Sequence, residues 1–312
     1  MENTKTKNLK KEIGQLEKTG KIFSYCIVIP ALIHFLIFYV YINFSTIILA
    51  FSVETVNGEV FSLHNFEQFF IEMRNQIIDP VGGKSELFIA LGNTLKYFTA
   101  AVTKTFLSAM IAYFFFKKVY LHKVYKVLFF LPSMIPGLVY VMIFKQFINP
   151  FGPIGTTLYK VFGYDMPSLL TQSATATGTM LFYVMWSGFG AQMLIFVGVM
   201  NRIPLSVIEA ANLDGCTGFK EFSLIVIPLI WETLATYLLI GISCIFMASG
   251  PLLYFTDGAH DTFTLNFWIF KQVQGNGNYH YPAAIGLIFT VVALPLMFLS
   301  RYLMSKIETI TY

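Results

Sequence analysis

Apolar residues in this chain fall into six long blocks, at about residues 23–51, 93–116, 127–146, 176–200, 224–252 and 281–300. A helix rises about 1.5 Å per residue, so about 20 apolar residues cross the hydrocarbon core of a bilayer. Each block therefore predicts a transmembrane helix. Turn-forming stretches, such as Val81-Gly82-Gly83-Lys84 and Gly275-Asn276-Gly277, punctuate them. The first block is roughly twice as long as a signal-peptide core of about 7–15 residues, and no clear small-residue cleavage pattern follows it. It reads as a retained first helix. Prolines 30, 132, 136, 228 and 295 fall within blocks and predict kinks, which a membrane bundle tolerates where neighbours or water satisfy the freed carbonyl.

Two shorter patterns lie between the blocks. Phe66, Phe69, Phe70 and Met73 recur at helical spacing beside Glu67, Glu72 and Arg74, which predicts a short amphipathic helix on a membrane surface or over the bundle. Residues 204–213 predict another, with Pro204 at its first position and Gly215 as its left-handed stop. Thr217 or Gly218 then opens a helix that runs into the fifth block. The segment 203–223 is thus a helix–turn–helix presenting Leu213, Cys216, Phe219 and Phe222 beside Glu209, Asp214 and Glu221. An apolar knob rimmed by acids suits a protein partner. A nucleic-acid reader would be basic, so nucleic acid is excluded as a partner.

Composition agrees with the blocks. Hydrophobic residues make up 56% of the 312 and charged residues 12%, against about 25% charged in soluble domains. Such a chain cannot cover itself with charge and belongs against membrane lipid. With the N-terminus inside, the segments 1–22, 117–126, 201–223 and 301–312 hold 14 of the 21 basic residues, and the longer segments on the other side hold four. This bias predicts a multi-pass protein of the cell (plasma or inner) membrane with both termini cytoplasmic. It comprises a basic N-terminal segment, 1–22, and a transmembrane domain, 23–312.

Resemblance sharpens this reading. Glu209-Ala210-Ala211, three residues, Gly215, nine residues and then Ile225-Val226-Ile227-Pro228 resembles the EAA loop of ABC importer permeases. Ile227 stands where that family usually has Leu. Asp214-Gly215 resembles its carbohydrate branch, with Cys216 in place of the usual Ala. Ser62-Leu63-His64-Asn65-Phe66, Asn93-Thr94-Leu95, Phe130-Leu131-Pro132, Phe147-Ile148-Asn149-Pro150 with Gly152, and Trp186 extend the likeness over roughly residues 23–304, toward the maltose-permease first-subunit class. The resemblance implies an all-α membrane fold of the type I ABC importer permease kind. It has six transmembrane helices and a cytoplasmic coupling helix–turn–helix at 203–223. It implies that Glu209, Ala210, Ala211, Asp214, Gly215, Phe219, Phe222 and Pro228 belong to a loop that docks into a cytoplasmic ATP-binding subunit. A second, homologous permease subunit would complete the path, and an extracytoplasmic solute-binding protein would deliver a carbohydrate. In this class sugar contacts come from the fourth and fifth helices, which implicates Trp186, Ser187, Gln192, Ser243 and Ser249.

The remaining candidates are weaker. Ile78–Ser85 ends in Gly-Lys-Ser but has Ile78 where a P-loop needs Gly. Cys26, Cys216 and Cys244 are too scattered for a disulfide framework or a zinc site. No nucleophile–base or metal-ligand grouping stands out, so neither a catalytic site nor a cofactor is expected. Lys104 is the anomaly, about ten residues into the second block, at roughly 15 Å depth. It predicts a bundle-facing partner, a snorkelling side chain or a contact with an acidic sugar. Two alternatives stay open: a permease for another solute, such as a polyol or glycerol phosphate, and an ion-coupled carrier. A carrier should hold mid-membrane acids. The blocks contain only Glu232, near an inner end.

Overall fold

The computed structural model describes residues 20–21, 23–55, 58–78, 85–277 and 279–307. Four helices have the length and apolarity to cross a membrane: α1 (Phe23–Ala50), α3 (Glu86–Phe116), α7 (Ser173–Met200) and α13 (His280–Ser305), where α2 is His64–Ile78. α2 is the amphipathic helix that the Phe66–Met73 spacing predicts. α3 begins well before the expected residue 93, because polar Asn93 and Lys96 lie inside it and Ser85 caps it by accepting a hydrogen bond from the Phe88 amide.

The blocks 127–146 and 224–252 are not single rods: each is a bent pair of helices, sharper than the kinks that their prolines predict. The first forms α4 (His122–Met134) and α5 (Gly137–Phe147), bent by 107°. Pro136 cannot donate a backbone hydrogen bond, and it drives Ile135 to an extended conformation (φ −82°, ψ 135°). The helix therefore stops and restarts in a new direction. Between them and α7 lies α6 (Pro153–Phe162). The fifth block is preceded by α8 (Leu205–Leu213) and forms α9 (Phe219–Leu229) and α10 (Trp231–Ser243), bent by 78°. Residues Phe222–Val226 adopt a wide π-helical turn. It makes room for the Pro228 ring, which would collide with the carbonyl four residues back in a regular helix. Ile230 then leaves helical geometry (φ −101°, ψ 7°). Past α10 a single 3₁₀ turn (Ile245–Met247) and an irregular stretch lead to α11 (Leu252–Phe255), and α12 (Leu265–Asn276) precedes α13. With each bent pair taken as one span, the described residues supply up to six.

The chain packs as two units, 1–69 with 279–287 and 70–278 with 288–312. In the first, α1 leads into a two-stranded antiparallel hairpin, β1 (Ser52–Thr55) and β2 (Gly58–Phe61). Buried Asn65 donates to the carbonyls of Ala50 and Ser52, closing the end of α1, and the Ser52 hydroxyl lies 3.0 Å from His280 Nδ1. The side chains of α1 are largely exposed.

The second unit is organised around the α3–α7 pair. Ala100, Ser108, Ala109 and Ala112 on α3 are small and buried, which lets the two backbones approach closely. The Ser108 hydroxyl reaches the Phe189 carbonyl across the seam. Gly190 on α7 touches α4: a Cβ there would fall on the Phe129 carbonyl oxygen. At the other end of α3, the family-like pair Asn93-Thr94 holds the start of α12. Asn93 donates to the Asp261 and Phe263 carbonyls at 2.7 and 3.0 Å, and the Thr94 hydroxyl accepts from the Leu265 amide at 2.9 Å.

Candidate functional site

The segment 203–223 forms a helix, a turn and the start of a second helix. Pro204 takes the capping position (φ −59°, ψ 135°), one residue earlier than the sequence predicts, and α8 starts at Leu205. Gly215 ends it at φ +74°. The Cys216 amide donates to the Ala211 carbonyl at 2.9 Å and the Gly215 amide to the Asn212 carbonyl at 3.1 Å. These two bonds form a Schellman stop, which needs a left-handed residue at this position. Nothing lies within 4 Å of where a Gly215 Cβ would be, so the glycine answers a backbone requirement rather than a shortage of space. Gly218, at φ +60°, then redirects the chain into α9.

The loop has two distinct faces. Ile208, Ala211, Phe222 and Val226 are buried, three of them in one core with Tyr113, Phe196, Met200, Ile230 and Leu234. Glu209, Ala210, Asp214 and Gly215 are exposed, as are Leu213 (89%) and Phe219 (73%). Two residues expected on the exposed rim are not there. Phe222 is 8% exposed and packs on Tyr113, with ring centroids 5.2 Å apart. Glu221 is fully buried, and both of its carboxylate oxygens accept from Lys117 Nζ at 2.9 Å. Lys117 sits just beyond the end of α3, and Tyr113 on α3 also donates to the Gly218 carbonyl at 3.1 Å. Three ties therefore fix the loop to α3. The sequence could not reveal the ion pair, because its members are 104 positions apart and each looked like an ordinary solvated charge. Pro228 lies half-buried in α9, two residues past the wide turn.

The residues expected along the transport path divide into groups. Lys104 and Gln192 come together in a cavity of about 340 Å³ between α3, α7 and α10, which Ala101, Thr105, Gly188, Tyr237 and Gly241 also line. Gln192 is buried and donates to Thr105 Oγ1 at 2.9 Å. Lys104 has no hydrogen-bond or ion-pair partner among the described residues, so the expected structural pairing within the bundle is absent there. Trp186 is instead in an aromatic cluster, 5.1 Å from Tyr140 and 5.9 Å from Phe144 by ring centroid, with half-buried Ser187 beside it in sequence. Ser243 is exposed and bonds back to the Leu239 carbonyl. Ser249 accepts a 3.4 Å contact from Asn266 in the irregular segment before α11. Gly188 and Tyr237 were not singled out in the sequence. A glycine and a tyrosine inside apolar blocks give no local sign that they line a cavity. Of the Gly-Lys-Ser stretch, residues 79–84 lie outside the described residues. Among those described, no three His, Cys, Asp or Glu side chains gather as a metal site.

Several apolar helices, two bent helix pairs, a lysine beside a cavity and a loop tied into the core are the architecture of a helical, multi-pass membrane protein. The family model of the binding-protein-dependent transport system inner membrane component matches residues 104–309, and the chain belongs to that family. It is 25% identical over 180 residues to the galactooligosaccharides transport system permease protein GanP of Bacillus subtilis, covering 54% of this chain and 43% of that one. It is 29% identical over 139 residues to the maltose/maltodextrin permease protein MalF of Escherichia coli K12, covering 44% and 27%. It is likewise 29% identical over 175 residues to the probable ABC transporter permease protein YesP of Bacillus subtilis, covering 54% and 56%. The chain thus matches about half or less of the length of these curated relatives. Its fold is that of a chain in the crystal structure of a bacterial ABC transporter involved in import of the acidic polysaccharide alginate, at TM-score 0.76 and 19% identity over 94% of this chain and 98% of that one. A second crystal structure, of an alginate transporter with its pentasaccharide-bound periplasmic protein, gives 0.72 and 19% over 92% and 95%.

Proposed function

We propose that the protein is a permease subunit of an ATP-driven importer for a sugar or oligosaccharide. It forms half of a translocation path and takes its motion from a separate ATPase through the 203–223 loop. The observation that carries this reading is the two-faced loop. Its inner face shares a core with α3, α7 and α10, and its outer face exposes Leu213 and Phe219 beside Glu209 and Asp214. A partner that grips the outer face moves the helices through the inner one. The relatives named as galactooligosaccharide and maltose permeases support carbohydrate as the solute. The charge bias supports a cytoplasmic loop and cytoplasmic termini, on the side where ATP is. A second permease subunit and an outer solute-binding protein complete the machine, and ATP hydrolysis belongs to the partner rather than to this chain.

The test is purification of the tagged protein from native membranes in mild detergent. Co-purifying chains are identified, and ATP hydrolysis and sugar uptake are assayed. The expected result is a second polytopic chain and an ATPase, with uptake lost in Glu209→Lys and Gly215→Asp while membrane insertion persists. A single chain without ATPase activity, or normal uptake in both variants, overturns the coupling role.

A further inference from the structure

The cavity between α3, α7 and α10 has a chemical peculiarity that a neutral-sugar path does not require. Lys104 is its one cation, and no aspartate or glutamate lines it. Its amine has no partner among the described residues, although it lies about ten residues into the apolar stretch of α3. An ammonium group at such depth needs an anion or several hydrogen-bond acceptors. The surroundings leave space for one. Gly188 faces it, and a Cβ there would come within 3.1 Å of Nζ, so the glycine keeps the amine clear on that side. Gln192 brings a carboxamide and Tyr237 an aromatic ring to the same cavity. The volume, about 340 Å³, lies at the lower end of the range of small-ligand sites, about 300–1,000 Å³.

A second, independent feature lies on the same seam. Tyr97 is two helical turns from Lys104 on the same face of α3. Its hydroxyl is buried and has no hydrogen-bond partner among the described residues. A position 250 Cβ would meet its ring, and Val184, one turn from Gly188 on α7, lies beside the same point. A buried hydroxyl is rarely left unpaired without a reason. Tyr97 does not line the cavity, so the site that can meet a ligand is Lys104 with Gln192 and Tyr237.

Resting on the importer reading, we propose that Lys104 is the anion-recognising residue of the transport path and that the transported carbohydrate carries carboxylates, as a uronate-containing saccharide does. One lysine with no second cation matches a singly charged carboxylate. A phosphate dianion gathers more donors and more positive charge. The Lys104–carboxylate contact forms in a site of low dielectric, where it selects strongly against a neutral sugar of the same shape.

The test uses the complete importer, purified as a complex and also expressed in cells, with labelled trigalacturonate, its fully methyl-esterified form and maltotriose as probes. Wild type is expected to take up trigalacturonate and to discriminate against the ester by about 10- to 100-fold, the range for loss of one charged hydrogen bond. Lys104→Met is expected to lose that preference by a similar factor while the complex still assembles and hydrolyses ATP. Lys104→Arg is expected to keep it. The comparison of acid with ester in the wild type needs no variant, so it does not depend on how the variants fold. Equal uptake of acid and ester, uptake of maltotriose alone, or an unchanged preference in Lys104→Met overturns the inference. So does a Lys104→Met subunit that no longer joins the second permease, since the lysine would then be pairing between subunits. If no complex forms and no ATP is hydrolysed in the wild type, the importer reading falls instead.

Discussion

At the scale of single residues, the most consequential group outside the exposed loop surface is the Lys117–Glu221 pair. Glu221 has no solvent contact, and Lys117 is about one-third exposed. The pair is therefore asymmetric: removing the lysine strands a buried carboxylate, whereas removing both charges strands nothing. Lys117→Met is expected to destabilise the protein by about 3–5 kcal/mol, and the double variant Lys117→Met/Glu221→Met by much less. Thermal unfolding in detergent, followed across this double-mutant cycle, measures the difference. Equal losses in the single and double variants would show that the carboxylate is not stranded. The same scale explains why part of the loop was legible and part was not. Gly215 announced its role because a left-handed stop is a local requirement. Glu221 looked like its exposed neighbours because its burial depends on a helix a hundred residues earlier.

At the scale of elements, the apolar blocks were readable because length and hydrophobicity alone mark helices able to cross a membrane, four single helices and two bent pairs among the described residues. The breaks were readable only in part. Pro136 and Pro228 marked where two blocks bend, but Pro132 and Pro295 sit inside helices with the same sequence credentials. The α4–α7 contact is a second case. Gly190 reads as an ordinary glycine in a membrane helix, yet a side chain there would strike the α4 backbone at Phe129. Gly190→Val is expected to push these helices apart and destabilise the unit by about 1–3 kcal/mol. Gly198→Val, on the same helix with nothing within 4 Å of the new Cβ, provides the control. A thermal-shift comparison of the two checks the expectation, and equal midpoints would refute it.

At the scale of the whole molecule, the arrangement in the membrane follows from charge rather than from packing. Fourteen basic residues on one side against four on the other are the bias from which we propose that the 203–223 loop lies inside the cell. In a cysteine-free background, Ser206→Cys, exposed at the start of α8, is expected to react with a membrane-impermeant maleimide in inside-out vesicles and not in intact cells. Labelling of intact cells would reverse the topology. The candidate path was the least legible feature at this scale. Lys104 and Gln192 lie 88 positions apart and meet only because α3 and α7 pair along their length. Trp186, two residues before Gly188, turns instead to the aromatic cluster around Tyr140.

The bend at Ile230 has one more consequence. α9 leaves the loop and meets α10 at 78°, nearly a right angle. A push along the axis of α9 would pass to α10 mostly as a sideways sweep and scarcely as a shove along its length. A straight span would behave as a piston, carrying a nudge at the loop through to the far surface as an equal displacement. The bent pair has the shape of an elbow crank, and α10 is the arm that borders the cavity holding Lys104.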